Sequence, residues 1–285
     1  MKLRRIISLF KSMYNLLHYN SIAVNMFSEA NHKNWGDDLN LHLLKLITKK
    51  HIYAANTSVI HRFFCLKNYS CIGSIIGLYE NKKTEIWGSG FISKESSLKV
   101  YPAKVHLVRG EFTRNKLLGM GIDCPKLYGD PALLVSKYYN AVPKGKYKLG
   151  IIPHYVDLDI DYIKEFVSSK NDVVLIDIAN YDRWTDVCDM IVSCDYIVSS
   201  SLHGLIAADS YQKPNLWIKF SDKIVGGKFK YLDYFSSVER KDNQPLLVTD
   251  IVKLNELYDE LNNIHYNARI DFDTILNSCP FKKKN

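Results

Sequence analysis

The stretch Tyr196–Gly204, YIVSSSLHG, runs from an apolar strand through three serines and at once into a helix. That juxtaposition reads as the carboxyl end of a parallel strand, where the chain turns directly into its crossover helix. Ser201 stands where it can cap that helix. Backbone N–H groups left open at such a start form an anion site, and His203 falls in the first turn. Gly204 adds no side chain and keeps the approach open. A histidine there can donate to a phosphate or act as an acid near neutral pH. On spacing alone, a helix cap carrying a structural histidine is an equal alternative.

Outward from this stretch the alternation repeats. Lys148–Ile152, Asp172–Ile178 and Asn215–Phe220 read as strands, and Asp159–Ser168 and Asp182–Cys194 as helices, with further helices near 227–237 and 249–266. Residues 137–147 are polar, contain Pro143 and Gly145, and read as a linker. Before them lies a second set of short apolar runs, at Ile22–Phe27, Ser70–Ile76, Thr84–Trp87 and Lys104–Val108. A helix about Asp37–Lys49 turns Leu39, Leu43, Leu44 and Ile47 inward, and one about Thr113–Leu118 stops at Gly119 and Gly121. The expected fold is α/β, with two Rossmann-like domains, 21–136 and 148–285, facing across a cleft. Ligands then sit at the carboxyl ends of the strands.

With 285 residues, 47% of them hydrophobic and 24% charged, the chain has ample material for folded cores and is not disordered. The net charge of +8 is concentrated at the ends. Lys2, Arg4, Arg5 and Lys11 lie within residues 1–20 without a balancing acid, and Lys282–Lys284 lie near the other terminus. A nucleic-acid reader carries its basic stripe within the fold, so no nucleic-acid partner is expected. Residues 1–20 form a basic amphipathic arm with Leu3, Phe10 and Leu17 on one face. It suits contact with an anionic membrane surface, or packing as a first helix on its own domain. No apolar run approaches a transmembrane span, so the expected location is cytoplasmic, peripheral at most on the inner membrane face. The six cysteines form no CxxC pair and no metal-ligand cluster; they read as reduced, buried thiols.

Other segments carry chemistry at the same sheet edges. Arg109 follows an apolar strand and suits bidentate capture of a carboxylate or phosphate, with a surface ion pair as the alternative. In Asn34-Trp35-Gly36-Asp37-Asp38, Gly36 permits a tight turn, one aspartate favours the helix start, and the other can orient a sugar hydroxyl. Gly88-Ser89-Gly90 offers a backbone-rich loop. His154, at the end of a strand, can face the cleft. Lys228 and Lys230 can add positive charge, although solvated lysines are the commoner case. Gly129-Asp130-Pro131 reads as a turn with a capping aspartate.

Taken in order, NWGDDLN at 34–40, GSGF at 88–91, VRGEFT at 108–113, GDPALL at 129–134 and SSLHGLIAADSYQKPN at 200–215 resemble the polysaccharide pyruvyl transferase family. The resemblance implies a two-domain architecture similar to that of GT-B glycosyltransferases. It implies transfer of the enolpyruvyl group of phosphoenolpyruvate onto two hydroxyls of one sugar, giving a pyruvate ketal and phosphate. The acceptor is a saccharide of a surface-polysaccharide precursor, lipid- or nucleotide-linked, and neither metal nor cofactor is needed. On this reading Arg109 and the Ser200–Gly204 turn bind the donor, with Asn34 and Gly88–Gly90 near the substrates. His203 is then the acid, and Asp37 and His154 are the candidate bases. Many family members have an arginine where this chain has Ser201, so a lysine such as Lys228 replaces that charge or the donor is gripped differently. Two other functions fit the same pattern: a glycosyltransferase using a nucleotide sugar, and a non-catalytic member scaffolding polysaccharide assembly.

Overall fold

The computed structural model describes residues 21–27 and 33–281. The basic arm and the terminal lysines lie outside the described residues. Among the described residues, ten strands form two separate five-stranded sheets, and every pairing in both is parallel.

The first sheet runs β2-β1-β3-β4-β5, with β1 Ser21–Asn25, β2 His51–Ala54, β3 Asn68–Ser70, β4 Thr84–Trp87 and β5 Lys104–Leu107. Between β1 and β2 lies α1, Trp35–Thr48. The Asn34 side chain caps it by accepting from Gly36 N at 3.2 Å. Leu39, Leu43 and Leu44 form its buried stripe. Helix α2, Val59–Phe64, follows β2, and α3, Glu111–Gly119, follows β5. A short 3-10 turn, Pro131–Leu134, leads into α4, Val135–Tyr138.

The second sheet runs β10-β9-β8-β6-β7, with β6 Tyr147–Ile152, β7 Val173–Leu175, β8 Cys194–Ser199, β9 Asn215–Lys219 and β10 Leu246–Leu247. Its helices are α5 Asp161–Ser168, α6 Trp184–Val192, α7 Leu202–Ser210, α8 Phe229–Ser237 and α9 Ile251–Asp259. A final helix, α10, spans Phe272–Asn277.

Each sheet reverses strand order beside its first strand, between β1 and β3 and between β6 and β8. Such a reversal splays the two following loops apart and opens a crevice at the carboxyl ends. The two crevices face each other. Trp35 N donates to Ile178 O at 3.0 Å and the Trp35 indole to Trp184 O at 2.7 Å, so α1 is fastened to the opposite lobe.

Several expected boundaries move. The run at Ser70–Ile76 pairs only as far as Ser70, because Gly73, at φ 109°, turns the chain away. The helix expected over 249–266 ends at Asp259 and continues as a 3-10 turn. The segment 137–147 is tied to α6: Tyr139 Oη and Val142 N both donate to Asp189, and Lys144 pairs with Asp186. The C-terminal segment does not stay with the second lobe. Trp87 donates its indole N–H to Ile275 O at 3.2 Å, and Phe281 packs edge-on against Tyr69 and Trp87. Five cysteines are buried, but Cys65 is exposed. No helix among the described residues is long and apolar enough to cross a membrane.

Candidate active site

The facing crevices enclose a cleft of about 340 Å³. From the first lobe Phe27, Asn34, Asp37, Ser74 and Ile75 line it. From the second come His154, Ser201, His203 and Lys230. Asn34, Asp37, His154, Ser201 and His203, chosen on sequence grounds from distant segments, therefore meet on one surface.

The helix start that decided the fold is its floor. Ser201 is the N-cap residue of α7, but its side chain makes no capping bond. The preceding serines are spent on the turn itself. Ser199 Oγ donates to the Ile152 carbonyl at 2.9 Å and accepts from Ser201 N at 3.0 Å, and Ser200 Oγ accepts from His154 N at 2.8 Å. The N-terminal N–H groups of α7 thus have no side-chain cap, and an anion is their natural partner.

His203 stands in this turn with its Nε2 buried and without a hydrogen-bond partner. Its ring lies against Gly36, where a Cβ would fall 1.8 Å from His203 Nδ1. The glycine in NWGDD serves that contact between lobes. Burial first, then Lys230 and Arg109, hold the imidazole down at about 3, so it is neutral at pH 7. His154 is likewise held at about 3, by burial and by Lys230 and His203.

Two further groups complete the cleft. Asp37 is buried, and burial together with neighbouring Asp38 raises its carboxyl to about 8, so it carries a proton at neutral pH. Lys230 has a buried stem, lies 5.4 Å from the Tyr231 ring and makes no ion pair among the described residues. Burial, then Arg109, lowers its ammonium to about 8. Lys230, not Lys228, supplies the positive charge here: Lys228 is exposed and donates to Gln244 Oε1 at 2.8 Å. A signal for Lys230 was present in the sequence. In Phe229–Ser237 it falls on the same buried face as Tyr231, Tyr234 and Phe235.

The other sequence candidates lie behind the wall. Arg109 is fully buried. Its guanidinium donates to Asp233 Oδ2 at 3.0 Å, the Phe91 carbonyl at 2.6 Å and Ser74 Oγ, leaving it no free fork for a ligand. It acts on the cleft as a nearby charge and through Ser74. Gly90 lies under that guanidinium, Gly88 against Pro131, and Ser89 donates to the Gly73 carbonyl. Gly204 faces inward, where a Cβ would meet Ser199 Oγ at 2.4 Å, so it allows helix–strand packing instead of ligand approach. Ser200 is buried beneath the turn, while Asp38 accepts from Tyr181 Oη and joins the lobes. A larger depression of about 670 Å³ lies along Asp177–Met190, but its Asp186 already pairs with Lys144 and Arg183. Among the described residues no group of three acidic, histidine or cysteine side chains is placed to hold a metal ion.

The family model for polysaccharide pyruvyl transferase matches residues 34–222. The chain belongs to the polysaccharide pyruvyl transferase family. The match begins at the α1 cap and ends past β9, so it contains every cleft residue named above except Phe27 and Lys230. A relative from Acanthamoeba polyphaga mimivirus, itself uncharacterized, is 32% identical over 214 residues, covering 73% of this chain and 70% of its own. Among solved structures, a functionally uncharacterized Klebsiella pneumoniae protein aligns over 87% of this chain and 98% of its own, at 15% identity and TM-score 0.44. The wall teichoic acid polymerase TagF aligns over 98% and 92%, at 10% identity and TM-score 0.49.

Proposed function

We propose that this family member transfers the enolpyruvyl group of phosphoenolpyruvate onto two hydroxyls of a saccharide in a surface-polysaccharide precursor. The observation that supports this reading is the anion seat. The uncapped start of α7, an ammonium without an ion pair at Lys230, and a partnerless His203 Nε2 converge on one cleft. A compact trianion matches them. Its phosphate meets the α7 N–H groups and Lys230, and needs no cofactor.

The charge states suggest roles opposite to those implied by the resemblance. Asp37 already holds a proton, and a bound trianion raises its pKa further, so Asp37 is the acid. The same negative charge raises neutral His203 toward the range of a useful base. Asp37 gives its proton to the methylene carbon, which becomes a methyl group. The first sugar hydroxyl bonds to C2 and His203 takes its proton. The second hydroxyl bonds to C2 as the bond from C2 to the phosphate oxygen breaks, and its proton leaves with phosphate. His203 returns its proton to Asp37 through solvent.

Calorimetry with phosphoenolpyruvate and with nucleotide sugars tests the donor. Wild type should bind phosphoenolpyruvate, and Lys230→Met should weaken binding at least tenfold, the loss of one charged hydrogen bond. Tighter binding of a nucleotide sugar, undisturbed by Lys230→Met, would instead favour the glycosyltransferase reading.

A further inference from the structure

The strands of the first sheet are parallel, so the residues that precede them share one edge, opposite the cleft. That edge is basic. Lys49 precedes β2, Lys67 precedes β3, Lys82 and Lys83 precede β4, and Lys99 and Lys104 stand before and at the start of β5. Between residues 49 and 104 the chain carries nine lysines and arginines against three glutamates, an excess that the balance of the whole chain hides. Two of the three are already engaged: Glu85 pairs with Lys67 and His106, and Glu80 accepts from Gly77 N. Lys49, Lys82, Lys83, Lys99 and Lys104 are exposed and make no ion pair among the described residues.

The same edge exposes aromatic rings. Phe63 and Phe64, at the end of α2, are 79% and 61% exposed, and Tyr101 is 57% exposed. Two observations place these rings among the lysines. Asn81 Nδ2 donates to Leu66 O at 3.0 Å, which ties the end of α2 to the loop before β4. Cys65, Lys82, Lys83 and Val100 line one hollow, so the chain neighbours of Phe64 and Tyr101 meet beside two of the lysines. Both ends of the described chain also reach this edge. Residues 1–20, with Lys2, Arg4, Arg5 and Lys11, join β1 at Ser21. Phe281 packs on Tyr69, over whose ring Lys67 lies at 5.2 Å, and Lys282–Lys284 follow it in the sequence.

We propose that this amino edge of the first sheet is a docking face for an anionic lipid bilayer, with Phe63, Phe64 and Tyr101 entering the interface and the lysines lying against lipid phosphates. Charge complementarity selects a polyanionic surface. The phenylalanines select lipid over nucleic acid. Their rings lie 5.0 Å apart and edge-on at 75°, so they present an apolar wedge and not two open faces on which bases stack. Aromatic rings beside lysines anchor proteins at a membrane–water interface. Docking by this edge leaves the cleft, at the carboxyl ends, open to solution. The basic arm joins the fold at the same edge and adds charge to the contact, and the test separates the two.

The full chain is floated with vesicles of phosphatidylcholine, with and without phosphatidylglycerol, at low and high salt. Binding should require phosphatidylglycerol and fall as salt rises. Phe63→Ser with Phe64→Ser, and Lys82→Glu with Lys83→Glu, all surface changes, should each weaken it about tenfold while the melting temperature stays that of wild type. Phe63→Trp gives a second readout that keeps the fold: brominated phosphatidylcholine mixed into the same anionic vesicles should quench the added emission. Arg4→Ala with Arg5→Ala reports on the arm. Loss of binding in that variant alone, with both edge pairs binding like wild type, gives the contact to the arm and overturns the proposal. So does an added tryptophan that brominated lipid leaves unquenched. Retention of a DNA duplex by a chain that ignores anionic vesicles assigns the edge to nucleic acid and overturns it as well.

Discussion

Asp37 sits in an environment far from that of its solution chemistry. A carboxyl raised to about 8 keeps its proton in the folded chain while the unfolded chain releases it near its ordinary value of 3.8. Stability contributed against that charge is therefore lost as pH rises from about 4 to 8, by about 4 kcal/mol at pH 7. An asparagine has the same shape and no charge to desolvate. Lys230 loses little by the change, because Asp37 is neutral there. Asp37→Asn should thus be more stable than wild type by about 2–4 kcal/mol at pH 7, with the gain vanishing near pH 4. Denaturant titrations at the two pH values measure it, and an equal effect at both would mean that Asp37 is ionised in the fold. The histidines run the other way. His154 and His203, both held at about 3, lose stability as pH falls below their unfolded value of 6.5.

At the scale of elements the site is a meeting of two helix starts. Helix α1 brings Gly36 and Asp37, and α7 brings Ser201 and His203. The contact is so close that Gly36→Ala would place its Cβ 1.8 Å from the imidazole. The ring must leave or the helices must part. We expect a loss of about 1–3 kcal/mol in stability and about tenfold in phosphoenolpyruvate affinity. An alanine variant that melts and binds like wild type would place the ring elsewhere. The sequence made these starts legible because capping residues, glycines and apolar runs are local signals. YIVSSSLHG predicted strand, turn and helix together. What it concealed was long-range. Arg109 stands just past a strand, as a ligand contact would, yet its partner Asp233 lies 124 residues away. No local pattern separates a buried ion pair from an anion clamp. The strand at His51–Ala54 carries little sequence signal because it is short, with an exposed first residue. The return of α10 to the first lobe depends on Trp87, whose partner carbonyl is 188 residues distant.

Across the whole molecule these long-range contacts decide whether the two lobes behave as one body. Arg109 and Asp233 pair without solvent, and Asp233 also accepts from Thr113 N and Thr113 Oγ1 at 2.8 and 2.7 Å. Asp233 lies on α8 of the second lobe, and the partners of its carboxylate, Arg109 and Thr113, belong to the first. Gly110 lets the chains approach, since a Cβ there would fall 1.7 Å from the Asp233 carbonyl oxygen. The same helix carries Lys230 one turn earlier, so the buried pair also fixes the ammonium in the cleft. Apolar packing is continuous as well: Trp35 and Leu43 of the first lobe share a core with Leu205 and Trp217 of the second. Lobes joined this way should melt as one cooperative unit. Removing one partner of a buried pair strands the other, at a cost of about 3–5 kcal/mol. Arg109→Ala should therefore lower a single calorimetric transition as a whole, and should weaken phosphoenolpyruvate binding by the folded variant because α8 and Lys230 lose their anchor. Arg109→Lys keeps a charge beside Asp233 but cannot also reach Phe91 O and Ser74 Oγ with a planar fork, so its loss should be intermediate. Two resolved transitions, of which Arg109→Ala shifts only one, would mean that the lobes fold independently and that Arg109 holds only its own.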